Sequence, residues 1–134
     1  MAGRTSRQAK GARPVSCCPY YHEAIELIGK RWTGAIVGVL LNVPADAEGG
    51  LRFTEIAQAV PELSDRLLSE RMKELEARGV VTRDVDKGPP VRVTYRLTDM
   101  GRALAPAVAE LHSWGREWLA DGASVPGGQG ATLA

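Results

Sequence analysis

From Tyr20 to Asn42 the apolar positions Ala24, Ile25, Ile28, Trp32, Ile36, Val39 and Leu40 recur at intervals of three and four. That period predicts a helix, and Pro19 suits its first turn, where a backbone N–H is not needed. Leu27, Val37 and Leu41 widen the stripe beyond what a one-sided surface helix requires. The helix is therefore expected to pack on two sides, against its own domain and against a partner. Gly29 and Gly34 interrupt it at a cost of about 1 kcal/mol each relative to Ala, which points to close helix approach or a bend.

The stretch Val43 to Leu51, VPADAEGGL, reads as a loop by its Pro, Asp and paired Gly. Phe53 to Val60 is a short helix with Ile56, Ala57 and Val60 inward, and Thr54 is placed to help cap it. Pro61-Glu62-Leu63 makes a turn. Ser64 then caps a second helix running to Arg78, with Gly79 just past its end. At about 100° per residue, Leu68, Met72 and Leu75 share one face of that helix. Arg66, Ser69, Glu70 and Lys73 lie opposite, with Leu67 and Arg71 on the flank.

Val80 to Val85 and Val91 to Leu97 have the Val, Thr and Tyr content of strands. In the second, Val91, Val93, Tyr95 and Leu97 alternate with Arg92, Thr94 and Arg96, and the corner Asp86 to Pro90 joins the two runs. Thr98 caps a last helix reaching about Ala120, with Pro106 near enough to its start to be accommodated by a bend. Leu104, Val108, Leu111, Gly115 and Trp118 form a narrow seam on it. The seam resembles a helix-helix dimer contact some 30 Å long. His112 is read as a partly buried packing residue.

Helix, turn, helix and hairpin in this order define a winged helix-turn-helix. The fold class is thus mainly α with a small β-hairpin (α+β), with N- and C-terminal dimerisation helices. Residues 1–16 hold Arg4, Arg7, Lys10 and Arg13 with no acid and almost nothing to bury, and read as a basic arm. Residues 17–120 form the domain, and the Gly-rich residues 121–134 a tail.

Charge does not settle the function by itself. The formal net charge is +1, so affinity for nucleic acid must come from local placement. On the second helix Arg66 could bond guanine in a bidentate manner and Ser69 could pair with several bases. Lys73, Arg52 and the hairpin cations Lys87 and Arg92 would mainly hold phosphates. The same helix face also fits an ordinary solvated surface. A protein-interaction module that keeps the winged shape without reading DNA is the alternative function.

No apolar run approaches the roughly 20 residues that span a bilayer. No apolar stretch of signal-peptide type follows the basic start, so a cytoplasmic, membrane-free protein is expected. The chain has two cysteines, the neighbours Cys17 and Cys18. Adjacent cysteines rarely have the geometry to bond each other, and only His22 and His112 could add ligands, so neither a disulfide scaffold nor a metal is expected. Both thiols precede a helix start, which favours negative charge and hence the reactive thiolate. The opposing reading is a pair of inert packing residues. Tyr20, Tyr21, Trp32, Trp114 and Trp118 could hold a small apolar or aromatic effector between the first and last helices, or could simply be core. No paired carboxylates, phosphate loop or nucleophile-base set can be placed, so neither catalysis nor a cofactor is expected.

Taken together, Cys18-Pro19, LIGKRW at Leu27 to Trp32, RFTEI at Arg52 to Ile56, LSDRLLSERMKELEARGVVTR at Leu63 to Arg83, and PPVRVTYRLTDMG at Pro89 to Gly101 resemble the HxlR-type transcriptional regulators, whose architecture is MarR-like. The resemblance runs to Trp118. It implies a homodimer built by the first and last helices, bound to a pseudo-palindromic DNA operator. It places Ser64, Asp65, Arg66, Ser69 and Lys73 on the recognition helix and Lys87 to Arg92 in the wing. It also places Cys18 at the family's Cys-Pro cysteine, which in some members senses oxidants or electrophiles. The chain departs from the family pattern in two ways: the Val43 to Leu51 loop is long, and no second, distant cysteine exists.

Overall fold

A computed structural model describes residues 16–120. The tail expected at 121–134, and all of the basic arm but Ser16, lie outside the described residues. The chain divides into two compact units, Met1–Arg31 and Trp32–Ala134.

In the first unit, helix α1 spans Pro19–Ile28 with Pro in its first turn and Cys18 as N-cap in extended backbone. It contains no buried residue. The single helix expected from Tyr20 to Asn42 is not formed. α1 ends at Gly29, whose N–H donates to the Ile25 carbonyl at 2.7 Å. A Cβ at position 29 would meet that carbonyl oxygen at 2.6 Å. The close approach anticipated for Gly29 is therefore to its own helix. Trp32 takes φ +75°, a left-handed conformation uncommon for a bulky side chain. Apolar spacing runs through this break because it records which faces are apolar, not whether the backbone stays helical.

The second unit opens with α2, Thr33–Leu41, which buries Thr33, Ile36, Val37 and Leu40. The strand β1, Leu51–Arg52, leads directly into α3, Phe53–Ala59, and α4 follows at Asp65–Ala77. β2, Val81–Asp86, and β3, Arg92–Leu97, form the hairpin. α5, Asp99–Arg102, and α6, Ala105–Trp118, close the described chain. The core joins Ile36, Val37 and Leu40 to Ile56, Val60 and Leu63, to Leu68, Met72 and Leu75, and to Val80, Val81 and Leu97. Every element from α2 to β3 except β1 contributes to it.

The sheet order is β1-β3-β2, antiparallel throughout. Val81 pairs with Leu97 at the hairpin base and Asp86 with Arg92 near its tip. Leu51, expected to end the loop, and Arg52 pair with Tyr95 and Thr94. Gly50 makes this approach feasible: a Cβ there would collide with the Tyr95 carbonyl oxygen. The alternation along β3 buries only Leu97 fully, because the hairpin leaves the core as it extends towards its tip.

Two further expectations are corrected. Thr54 does not start α3. Arg52 is its N-cap, and the Glu55 carboxylate accepts the Arg52 N–H at 2.8 Å. The last helix is also not continuous. Pro106 has no N–H for the Arg102 carbonyl, and its ring would crowd that group. The chain turns through Ala103 and Leu104, and α6 begins afresh with Pro in its first turn. Along the expected seam Leu104, Val108 and Gly115 are half-buried, while Leu111 and Trp118 are exposed.

Candidate nucleic-acid interface

α4 presents one packed face and one open face. Its start is fixed by Ser64, whose hydroxyl accepts the Leu67 N–H at 3.1 Å, and Asp65 lies in its first turn. Its end is a Schellman arrangement. The Val80 N–H donates to the Leu75 carbonyl at 2.9 Å and the Gly79 N–H to the Glu76 carbonyl at 3.1 Å. Gly79 supplies the required positive φ of +83°. Leu68, Met72 and Leu75 are buried as the wheel predicts.

Opposite them Arg66 and Lys73 are exposed and Ser69 is half-buried. The Arg66 side chain is 90% exposed and lies 3.7 Å from Glu70, one turn along. An ion pair this open holds its arginine loosely. Arg71 is different: its side chain is only 14% exposed and meets Glu74 at 3.5 Å, which assigns it to the flank of the helix, not to its open face.

The hairpin carries a sorted set of charges. Asp84 is engaged by Arg96 at 3.3 Å, and the Asp86 carboxylate accepts the Gly88 N–H at 3.1 Å, shaping the turn. Pro89-Pro90 is a cis peptide. Arg83, Lys87 and Arg92 are exposed. The fourth hairpin cation, Arg96, is thus tied into the sheet. Arg52 is exposed on β1 beside Thr94.

Two positioning residues were not singled out for these roles by sequence. The Thr98 hydroxyl donates to the Gly79 carbonyl at 2.6 Å and accepts the Gly101 N–H at 3.1 Å. Thr98 had been expected only as a cap, and that role holds. Arg102 donates to the Val43 carbonyl at 3.0 Å, pinning the long loop. That loop walls a cavity of about 330 Å³ with Thr82, Arg96 and Arg102. The loop's irregular sequence gives no periodic signal for either feature.

Cys17 and Cys18 are both exposed. The Cys17 Sγ lies 3.7 Å from the Cys18 carbonyl oxygen, which also accepts the His22 N–H at 3.0 Å. Of the aromatic residues, Tyr20, Tyr21, Trp114 and Trp118 are exposed and Trp32 is half-buried. Trp114 lines a shallow concavity of about 520 Å³ on α6 with Leu111, Ser113, Glu110 and Glu117. Among the described residues no group of three or more His, Cys, Asp or Glu could hold a metal, and no helix is long and apolar enough to cross a membrane.

Residues 27–123 match the family model for the HxlR-like helix-turn-helix. The chain belongs to the HxlR-like family. Among the relatives of this HxlR chain, YvaP of Bacillus subtilis, a helix-turn-helix-type transcriptional regulator, is 50% identical over 102 residues, or 76% of this chain and 89% of YvaP. YodB of the same organism, also a transcriptional regulator, is 39% identical over 81% of this chain and 91% of its own. The solved reduced form of YodB superimposes with a TM-score of 0.66 at 38% identity, covering 78% of this chain and 96% of YodB. The redox regulator HypR in its oxidised form gives 0.64 at 33% identity, covering 75% and 96%. The HxlR chain is accordingly a transcriptional regulator with the winged helix-turn-helix fold. α3 and α4 are its helix-turn-helix pair and β2–β3 its wing. The alternative of an interaction module is not favoured by these relatives.

Proposed function

We propose that this HxlR-family regulator acts as a homodimer that reads a pseudo-palindromic operator in double-stranded DNA through α4. The observation that carries the reading is the division of α4: Leu68, Met72 and Leu75 anchor it in the core while Arg66 and Lys73 stand open on the far side. Arg66 and Ser69 read base edges. Lys73, Arg52, Lys87 and Arg92 position the phosphate backbone. Ser64 and Asp65 set the start of α4, where backbone N–H groups favour a phosphate. Two-fold symmetry asks for half-sites about one helical turn, roughly 10 bp, apart.

The exposed Tyr20, Tyr21 and Ile25 of α1 and the exposed Leu111, Trp114 and Trp118 of α6 supply the apolar surface of the dimer. On α6, the concavity lined by Leu111 and Trp114 is where a small apolar effector would bind. Oxidants or electrophiles enter the control of DNA binding at the exposed thiols of Cys17 and Cys18. YodB has been solved in diamide-treated and quinone-bound forms and HypR in oxidised and reduced forms, which supports that input.

In-vitro selection of bound duplexes, with and without a thiol oxidant, tests the whole reading. The expected product is an inverted repeat whose recovery changes with oxidant. Recovery of unrelated sequences with no salt-dependent binding would defeat it.

A further inference from the structure

The two thiols of this chain stand on consecutive residues, both exposed, at the entrance of α1. We propose that Cys17 and Cys18 act together as a vicinal dithiol site for a trivalent organoarsenic centre. The proposal deepens the thiol-control reading, and it rests on that reading only for its effect on DNA.

A direct bond between the two sulfurs is poorly matched to their spacing. Consecutive Cα atoms across a trans peptide are about 3.8 Å apart, and disulfides usually span about 4.4–6.8 Å. An atom inserted between the sulfurs lengthens the bridge and relieves this mismatch. The Cys17 Sγ lies 3.7 Å from the Cys18 backbone carbonyl oxygen, and both thiols are exposed and so open to one reagent. Being exposed, both thiols can turn about χ1 without disturbing a core.

The number of ligands selects the occupant. Zinc in a structural site wants four donors, and no group of three or more His, Cys, Asp or Glu is assembled among the described residues. Soft thiolates favour soft centres. A trivalent arsenic that already carries one organic group needs two further ligands. The sequence offers two thiols and no other cysteine.

The chemistry closes without an oxidant. The thiolate of one cysteine attacks the arsenic of R–As=O, giving an As–S bond and, with the proton that thiol released, As–OH. The second thiol then displaces the hydroxyl group, which leaves as water. The sum is R–As=O plus two thiols giving R–As(S)2 plus one water. The two thiol hydrogens leave in that water, arsenic stays trivalent, and no electrons are exchanged. The second step is intramolecular, so it profits from a high effective concentration.

The test uses the full chain and phenylarsine oxide. Intact-mass spectrometry should show one phenylarsenic group per chain. The adduct should persist in excess 2-mercaptoethanol and be removed by dithiothreitol. Its lifetime in the monothiol should be about 100-fold or more above that of the adducts of Cys17→Ser and Cys18→Ser, as expected for loss of the chelate. A wild-type adduct stripped by 2-mercaptoethanol, a single-serine variant that holds arsenic equally long, or arsenic joining two chains would each overturn the dithiol site. A gel shift on the untreated samples reports DNA binding separately. Its failure would defeat the DNA-reading proposal while the mass assay still decides the arsenic site.

Discussion

The hydroxyl of Thr98 donates to the carbonyl oxygen of Gly79 at 2.6 Å, so the residue that starts α5 also secures the backbone that ends α4. The Thr98 hydroxyl oxygen in turn accepts the Gly101 N–H, and the Thr98 N–H donates to the Val80 carbonyl at 3.0 Å. One side chain thus couples the exit of the recognition helix to the base of the wing.

Thr98→Ala should therefore lower stability by about 1–2 kcal/mol, the range for losing a helix cap. Urea denaturation checks this. Thr98→Ser keeps the hydroxyl and should recover most of the loss. If Ser and Ala proved equally destabilised, the hydrogen bonds would not be the cause.

The fold was largely legible because its core helices follow simple periods. The faces of α4 follow from Leu68, Met72 and Leu75, and its ends from Ser64 and Gly79, each of which acts locally. Three features escaped for identifiable reasons. The break at Gly29 to Trp32 leaves the apolar spacing undisturbed. β1 is two residues long and exists through its pairing with the distant Tyr95 and Thr94. The Arg96–Asp84 ion pair depends on strand register, which residue type and spacing do not give. The open side chains Arg66 and Lys73 were legible as a face. Their shared surface with Glu70 is where residue type alone stops deciding function.

Arg66 and Glu70 invite paired substitutions. Arg66→Ala should weaken binding to a selected operator by about 1–3 kcal/mol and relax one base preference. Glu70→Gln removes a negative charge from the open face of α4 and a weak restraint on Arg66. It should strengthen binding while leaving stability within about 0.5 kcal/mol of the parent. Gel-shift titrations on operator and random duplex distinguish the roles. Equal losses on both duplexes for Arg66→Ala would remove its base-reading assignment.

Lys87 at the wing tip is exposed and has a different signature. A phosphate contact carries no sequence information. Lys87→Ala should weaken operator and random duplex alike and reduce the salt slope of binding by about 1. Affinities measured over a salt series provide the check, and an unchanged slope would place the wing away from the backbone.

Trp114 and Trp118 test the other half of the proposal. They are 54% and 64% exposed, so neither can contribute much to the core of a single chain. A buried residue such as Leu68, with no exposure, should cost roughly 2–5 kcal/mol when cut to Ala. Trp114→Ala/Trp118→Ala should leave helical content intact yet shift the protein towards monomer in sedimentation. Exposed aromatics that anchor an interface lose their value only when the partner is lost. Since two-fold DNA reading needs two linked recognition helices, operator affinity should fall with dimerisation and recover at higher protein concentration. A double variant that stays dimeric and binds operator normally would move the dimer contact off this face of α6.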